Sequence, residues 1–269
     1  MWRTAAHSCA ALLAAVALAL VAGCGGGRVE EIDLSQPGTS APTTSPSPGD
    51  PADQADGSAS PTGGPGGDVA AGTAHQVARA DADLDVYAAP GDTAPSGTLA
   101  ATTEFGSPRA LLVVADGGDW LQVALPERPN GSRGWIRRSD VEIRTVDESI
   151  EVDVAARTLT LFDGGTAVLT TAVAVGTDAN PTPTGAFYVV DKLDTGDPSG
   201  PYGRFALGLS AHSTELSEFA GGDGQVGIHG TDDPSSIGQA VSHGCVRVPA
   251  DVAEVLAETV NLGTPVLIS

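Results

Sequence analysis

Residues 25–74 hold no Phe, Trp or Tyr, and 29 of those 50 residues are Gly, Ser, Thr or Pro. Such a stretch cannot bury enough apolar surface to offset the entropy of ordering it. It reads as a disordered linker. Folded structure is therefore confined to the chain from about residue 75 onward, room for one or two modest cores.

The segment ahead of the linker has a different character. Arg3 and the α-amine precede an apolar run, residues 9–23, rich in Ala, Leu and Val. That run is short for a membrane span, which needs about 20 residues, but suits a signal peptide. It ends in Val21-Ala22-Gly23-Cys24, which resembles a bacterial lipobox. The resemblance implies a signal peptide over 1–23 and a lipidated Cys24 heading the 24–74 linker. It also implies a partner in the membrane, reached through the lipid anchor. The protein would sit on the extracytoplasmic face of the cell membrane, facing the cell wall. An ordinary secretory signal with an incidental cysteine is the alternative.

Charge removes one class of partner. The net charge is −21, with Lys192 as the one lysine and twelve arginines. Nucleic-acid binding needs clustered cations to displace counterions, so no nucleic-acid partner is expected. Cysteine usage points the other way, toward chemistry. The chain has Cys9, Cys24 and Cys245. Cleavage before Cys24 removes the first and lipidation consumes the second. One free thiol in an exported protein, where cysteines are usually paired, suggests a reactive group or an intermolecular bond.

The linker is followed by a mainly β pattern. In residues 75–146 short apolar runs alternate with turn signals: Leu84–Tyr87, Gly97–Leu99, Ala110–Val114, Trp120–Val123, Trp135–Ile136 and Val141–Ile143. Gly118-Asp119-Trp120-Leu121-Gln122-Val123, then Asn130-Gly131 and Gly134-Trp135-Ile136, resemble bacterial Src-homology-3-like modules. That likeness implies a small barrel-like fold and a possible wall-peptide ligand, with a plain spacer as the alternative. Trp120 and Trp135 are expected in its core. Residues 147–269 predict a second β-rich domain with few helices. Strands are expected over Ile150–Val154, Leu159–Phe162, Val168–Val175, Phe187–Val190 and Val266–Ile268. Residues 191–204 and 220–225, rich in Gly, Pro and Asp, are expected to bound a substrate cleft. A helix should start at Pro249 and bury Val252, Val255, Leu256 and Val260, spaced i, i+3, i+4, i+8.

The chemistry is concentrated in Ile228-His229-Gly230-Thr231 and Ser242-His243-Gly244-Cys245-Val246-Arg247. A thiol has an ordinary pKa of about 8.5 and is mostly protonated at neutral pH. A neighbouring imidazole can take its proton and hold the ion pair. Backbone N–H groups beside the nucleophile can form an oxyanion hole. This is equipment for acyl transfer. If the 243–245 stretch is extended, His243 and Cys245 share a face. His229 stands at the end of a short strand, with Gly230 behind it and a carbonyl available for its second ring nitrogen. Asp232 and Asp233 should form a turn before Pro234. His212 carries no assignment.

The same stretch resembles the L,D-transpeptidase (YkuD-type) family, as does Pro183-Thr184-Gly185-Ala186-Phe187 upstream. The resemblance spans Ser149 to Ser269 and implies a sandwich-like β fold. By it, Cys245 is the nucleophile and His229 the base. His243 and Ser242 shape the site, and the amides around Gly244 and Cys245 hold the oxyanion. Arg247 orients a substrate carboxylate or braces the loop, with pairing to Asp251 as its plain alternative. The implied partners are peptidoglycan stem peptides. The implied reaction joins two diaminopimelate residues through a Cys245 thioester. An L,D-carboxypeptidase would use the same site with water as acceptor, and a wall-binding lipoprotein with an inactive enzyme domain is a further alternative. A sortase is disfavoured, because its Thr-Leu-x-Thr-Cys element is absent. No cofactor or metal is expected: Cys245, His243 and His229 lack the fourth ligand of a structural zinc site.

Overall fold

The computed structural model describes residues 74–218 and 222–269. The expected signal peptide, Cys24 and all but the last residue of the linker lie outside the described residues. What is described is mainly β, with two large sheets and two short two-stranded ones.

The first sheet takes its strands from β1 (His75–Arg79), β4 (Ala110–Asp116), β5 (Trp120–Ala124), β6 (Arg133–Arg137) and β7 (Glu142–Val146), in the order β6-β5-β4-β1-β7. A separate hairpin joins β2 (Leu84–Val86) to β3 (Gly97–Leu99). β1 is antiparallel to both its neighbours, with Val77 opposite Leu112 on one side and Arg144 on the other. Alternation along β5 and β6 turns Leu121, Val123 and Ile136 inward. The same alternation leaves Trp120 and Trp135 half-buried, so neither is a core residue as expected. Trp120 instead packs edge-on to buried Tyr87, with Arg137 over both rings.

The second sheet has eight strands in one curled layer. They are β8 (Glu148–Asp153), β9 (Thr158–Asp163), β10 (Thr166–Ala172), β12 (Gly185–Asp194), β13 (Phe205–His212), β14 (Gln225–His229), β16 (Val246–Arg247) and β17 (Pro265–Ile268). Their order is β10-β9-β8-β17-β12-β13-β14-β16. β11 (Val175–Gly176) and β15 (Ala240–Ser242) form a short parallel pair beside it. Asp163-Gly164-Gly165 turns the chain between β9 and β10, which pair antiparallel. The expected turn at Asp233 is present as well: its carboxylate accepts the Ser235 N–H ahead of a single 3-10 turn.

The one α-helix among the described residues, α1 (Ala250–Thr259), is capped by Pro249. Its buried face differs from the expected one. Val252, Leu256 and the C-cap Val260 are buried as expected and Ala253 joins them, whereas Val255 is 40 % exposed. A true 3.6-residue period swings position 255 away from 252 and 256 once Ala253 is close-packed.

The two sheets share apolar packing. The inward face of β12 gives Phe187 and Val189 to the core of the second sheet. Its outward face gives Tyr188 and Val190 to the core of the first. Tyr188 is fully buried there and donates its hydroxyl to the Ala124 carbonyl at 3.1 Å. Arg128, between β5 and β6, donates to the Ser213, Leu216 and Asp223 carbonyls at 2.6, 2.8 and 3.0 Å. Asn130 exchanges two hydrogen bonds with the His212 backbone. The loop joining β13 to β14 is thus held at both ends by the N-terminal module.

Candidate active site

The Ser242–Arg247 stretch is strand, bend and strand. β15 ends at Ser242, the chain bends through His243 and Gly244, and β16 begins at Val246. Gly244 has φ +117°, where residues with a side chain are strained. A Cβ there would come no closer than 3.4 Å to Pro181 O, so conformation rather than space requires the glycine. Ser242 braces the bend from inside. Its Oγ accepts the Gly244 N–H at 3.2 Å and donates to the Cys245 carbonyl at 2.5 Å. The bend breaks the alternation on which a shared face for His243 and Cys245 depends. His243 is exposed and is not among the residues lining the cleft described below.

Strand pairing brings Cys245 to the imidazole instead. β14 and β16 run parallel, with Ile228 opposite Val246 and His229 opposite Arg247. Cys245 falls beside Gly227, whose N–H donates to Sγ at 3.4 Å. Gly227 and His229 are two apart on a strand and face the same way. Thiol and imidazole therefore open on one side of the sheet. Space at Gly227 is short: a Cβ there would stand 2.9 Å from Leu207 O.

His229 is 4 % exposed, and its Nδ1 lies 2.6 Å from the Gly230 carbonyl oxygen. A carbonyl only accepts, so Nδ1 carries the hydrogen and Nε2 keeps its lone pair. Burial depresses the imidazole pKa to about 4; the Gly230 contact opposes this, and the Arg247 charge adds to it. Burial also pushes the Cys245 thiol up, against the Gly227 N–H and Arg247, which both favour thiolate. Both shifts favour neutral thiol beside neutral imidazole over a thiolate–imidazolium pair. In a dry site two charges lose more hydration than an exposed pair would.

Tyr202 completes this arrangement. Its ring meets the His229 ring edge-on, with centroids 4.9 Å apart. Two glycines allow the approach. A Cβ on Gly203, φ +61°, would stand 2.9 Å from the Cα of Gly230. Tyr202 belongs to no motif, and only its position in the Gly- and Pro-rich 191–204 stretch hinted at a role.

These groups open on a cleft of about 340 Å³ lined by Cys245, His229, Tyr202, Gln225, Gly222 and Asp223. Glu104 and Phe105, from the β3–β4 connection of the N-terminal module, line it too. Arg247 stands behind the cleft. It forms no ion pair with Asp251, its backbone pairs with Ala174 at 2.9 Å both ways, and its Nε is buried without a partner. His212 Nε2–H donates to Asp223 Oδ2, 3.0 Å away. A larger open groove of about 770 Å³ runs past Trp120 and Arg137 on the N-terminal module, but no thiol or imidazole lines it. Among the described residues no three of His, Cys, Asp or Glu gather as metal ligands.

The family description of the YkuD L,D-transpeptidase catalytic domain matches residues 147–268. The YkuD protein of Bacillus subtilis is 40 % identical over 126 residues, covering 46 % of this chain and 68 % of that one. The chain belongs to the YkuD family of L,D-transpeptidases. The YkuD protein of Bacillus licheniformis is also 40 % identical, over 46 % of this chain and 67 % of its own. Both relatives bear the L,D-transpeptidase name provisionally. A solved structure, the catalytic domain of the E. faecium L,D-transpeptidase, is 28 % identical over 46 % of this chain and 97 % of that one, with a TM-score of 0.32. The YkuD match begins at β8 and takes in the whole cleft apart from Glu104 and Phe105.

Proposed function

We propose that this L,D-transpeptidase acts on peptidoglycan stem peptides through an acyl-enzyme on Cys245. The observation that carries the reading is the His229 clamp. Nδ1 is spent on the Gly230 carbonyl, and Nε2 is left with a free lone pair on the face where Cys245 opens. His229 Nε2 takes the thiol proton as Sγ attacks the carbonyl of diaminopimelate in a tetrapeptide stem. The negative charge develops on the carbonyl oxygen. Of the two amides expected to hold it, Gly244 N–H is committed to Ser242 Oγ. The Cys245 N–H is the donor we assign to the oxyanion. Imidazolium then returns its proton to the leaving terminal D-Ala amine, and a thioester remains. The side-chain amine of a second stem attacks the thioester, loses a proton to His229, and displaces Cys245 as thiol. The product is a diaminopimelate-to-diaminopimelate cross-link. Arg247 acts through its charge, which favours thiolate over thiol and neutral imidazole over imidazolium.

The test is intact mass after incubation with a tetrapeptide stem. A gain equal to the tripeptide acyl group, lost on Cys245→Ala, is expected. Unmodified wild-type mass together with turnover by the Ala variant rejects the assignment. We further propose that Cys24 is lipidated and holds the enzyme on the outer face of the cell membrane. The lipobox-like Val21-Ala22-Gly23-Cys24 supports this. Cys24→Ser should release the protein from membranes, and retention of that variant counts against the anchor.

A further inference from the structure

The cleft contains two side chains that lie outside the YkuD match. Glu104 and Phe105 occupy the tip of a turn between β3 and β4 and line the same cavity as Cys245 and His229. The turn is pinned at its base. Thr103 N–H donates to Ser107 O at 2.9 Å, and Gly106 N–H donates to Thr103 O at 3.0 Å. Thr103 Oγ1 accepts the Ser107 N–H at 3.1 Å and donates to Asp191 Oδ1 at 2.5 Å. Asp191 is 1 % exposed and belongs to β12, so the turn is fastened to the sheet that carries the site. Held there, Phe105 is 52 % exposed, an apolar ring presented to the cavity rather than to a core.

The charged side chains that line the cleft are acidic, with the Arg247 cation behind it. Its charged lining residues, apart from the imidazole and thiol, are Glu104 and Asp223. Asp223 is already engaged: Oδ2 meets His212 Nε2 at 3.0 Å, and Oδ1 accepts the Gln225 N–H at 3.2 Å. Glu104 has neither an ion pair nor a hydrogen bond with the described residues through its carboxylate. A free carboxylate beside an exposed aromatic ring suits a primary ammonium carried on an aliphatic stem.

We propose that the Glu104–Phe105 turn is a specificity element of the active site, Glu104 recognising the side-chain ammonium of the donor diamino acid and Phe105 packing against its methylene chain. This rests on the reading of the cleft as a stem-peptide site. The N-terminal module is then part of the substrate site and not a spacer.

The test uses the whole protein and two tetrapeptide stems, one with a free side-chain amine and one with that amine acetylated. Acylation of Cys245 is followed by mass, and alkylation by iodoacetamide reads thiol reactivity separately. Wild type should favour the free amine by about five- to tenfold. Glu104→Gln should acylate both stems at the same rate. Phe105→Ala should slow both about equally while alkylation stays at the wild-type rate. Discrimination that persists in Glu104→Gln, or is absent from wild type, overturns the proposal alone. Failure of both stems to acylate wild type removes the stem-peptide reading and the proposal with it.

Discussion

The Tyr202 ring stands edge-on to the His229 imidazole, 4.9 Å between centroids. It helps keep water from a histidine whose depressed pKa comes first from burial. Tyr202→Ala should therefore raise the His229 pKa from about 4 toward the ordinary value. Acylation should slow by up to about tenfold, the worth of a well-set aromatic pair. Rates from pH 3 to 8 decide it: an acid limb unmoved in the variant sinks the role given to Tyr202.

The base must be neutral to act. With the imidazole pKa at about 4, acylation should hold its rate as pH falls past 6 and drop only near pH 4. His229→Ala should lower the rate by a factor on the order of 10² to 10⁴ and abolish that limb. His243→Ala should keep it. Loss of the limb in the His243 variant, with retention in the His229 variant, would transfer the role of base.

The same depression has a stability cost in acid. The unfolded chain takes a proton on His229 near pH 6.5, but the folded chain does so only near pH 4. Between those values the unfolded state binds more protons, so stability falls as pH falls. The loss should total roughly 3 kcal/mol. Denaturant unfolding of His229→Gln at pH 7 and pH 4 should show that much less acid sensitivity than wild type. Equal sensitivity in the two proteins contradicts a buried neutral imidazole.

Gly203 and Gly196 lie in one loop, both at positive φ, but only Gly203 is crowded. A Cβ on Gly203 meets Gly230 Cα at 2.9 Å, whereas one on Gly196 meets nothing within 4 Å. Each Ala variant should lose about 1–3 kcal/mol through backbone strain. Gly203→Ala should in addition displace Tyr202 and slow acylation, and Gly196→Ala should not. Equal acylation rates in the two variants would show that the contact is not needed.

Tyr188 tests how tightly the two sheets are joined. Tyr188→Phe removes the hydroxyl bond to Ala124 O and should cost about 1 kcal/mol. Tyr188→Ala should cost about 3–5 kcal/mol and make the N-terminal module unfold first. Coincident loss of Trp fluorescence and of β circular dichroism in that variant argues against the expected split.

Much of this was legible in the sequence because the relevant signals are local. The His229 and Cys245 elements carry residue types and spacing that need no tertiary information, and strands such as Gly97–Leu99 are bounded by turn residues. β13 was not legible. It is central in its sheet and buried on both faces over Leu209–His212, so no alternation marks it. β1 carries no such signal, since Val77 is the one large apolar residue in His75–Arg79. Tyr202 and the Glu104–Phe105 turn escaped for another reason. Their place at the cleft depends on loop closure and on how the β3–β4 turn fastens to Asp191, which no short window encodes. Trp120 and Trp135 are apolar enough to signal a core, but strand phase leaves both rings half-buried.

β1 is hydrogen-bonded along both edges, to β4 on one side and β7 on the other. The chain ahead of His75 is continuous with it in sequence. A pull on that leading chain runs along the strand axis, so the backbone bonds of both ladders are loaded together in shear. An edge strand peeled from its end would give them up one by one. The entry point of the chain is therefore a mechanical strong point, fit to carry tension without unzipping the sheet that holds Glu104 and Phe105 over the cleft.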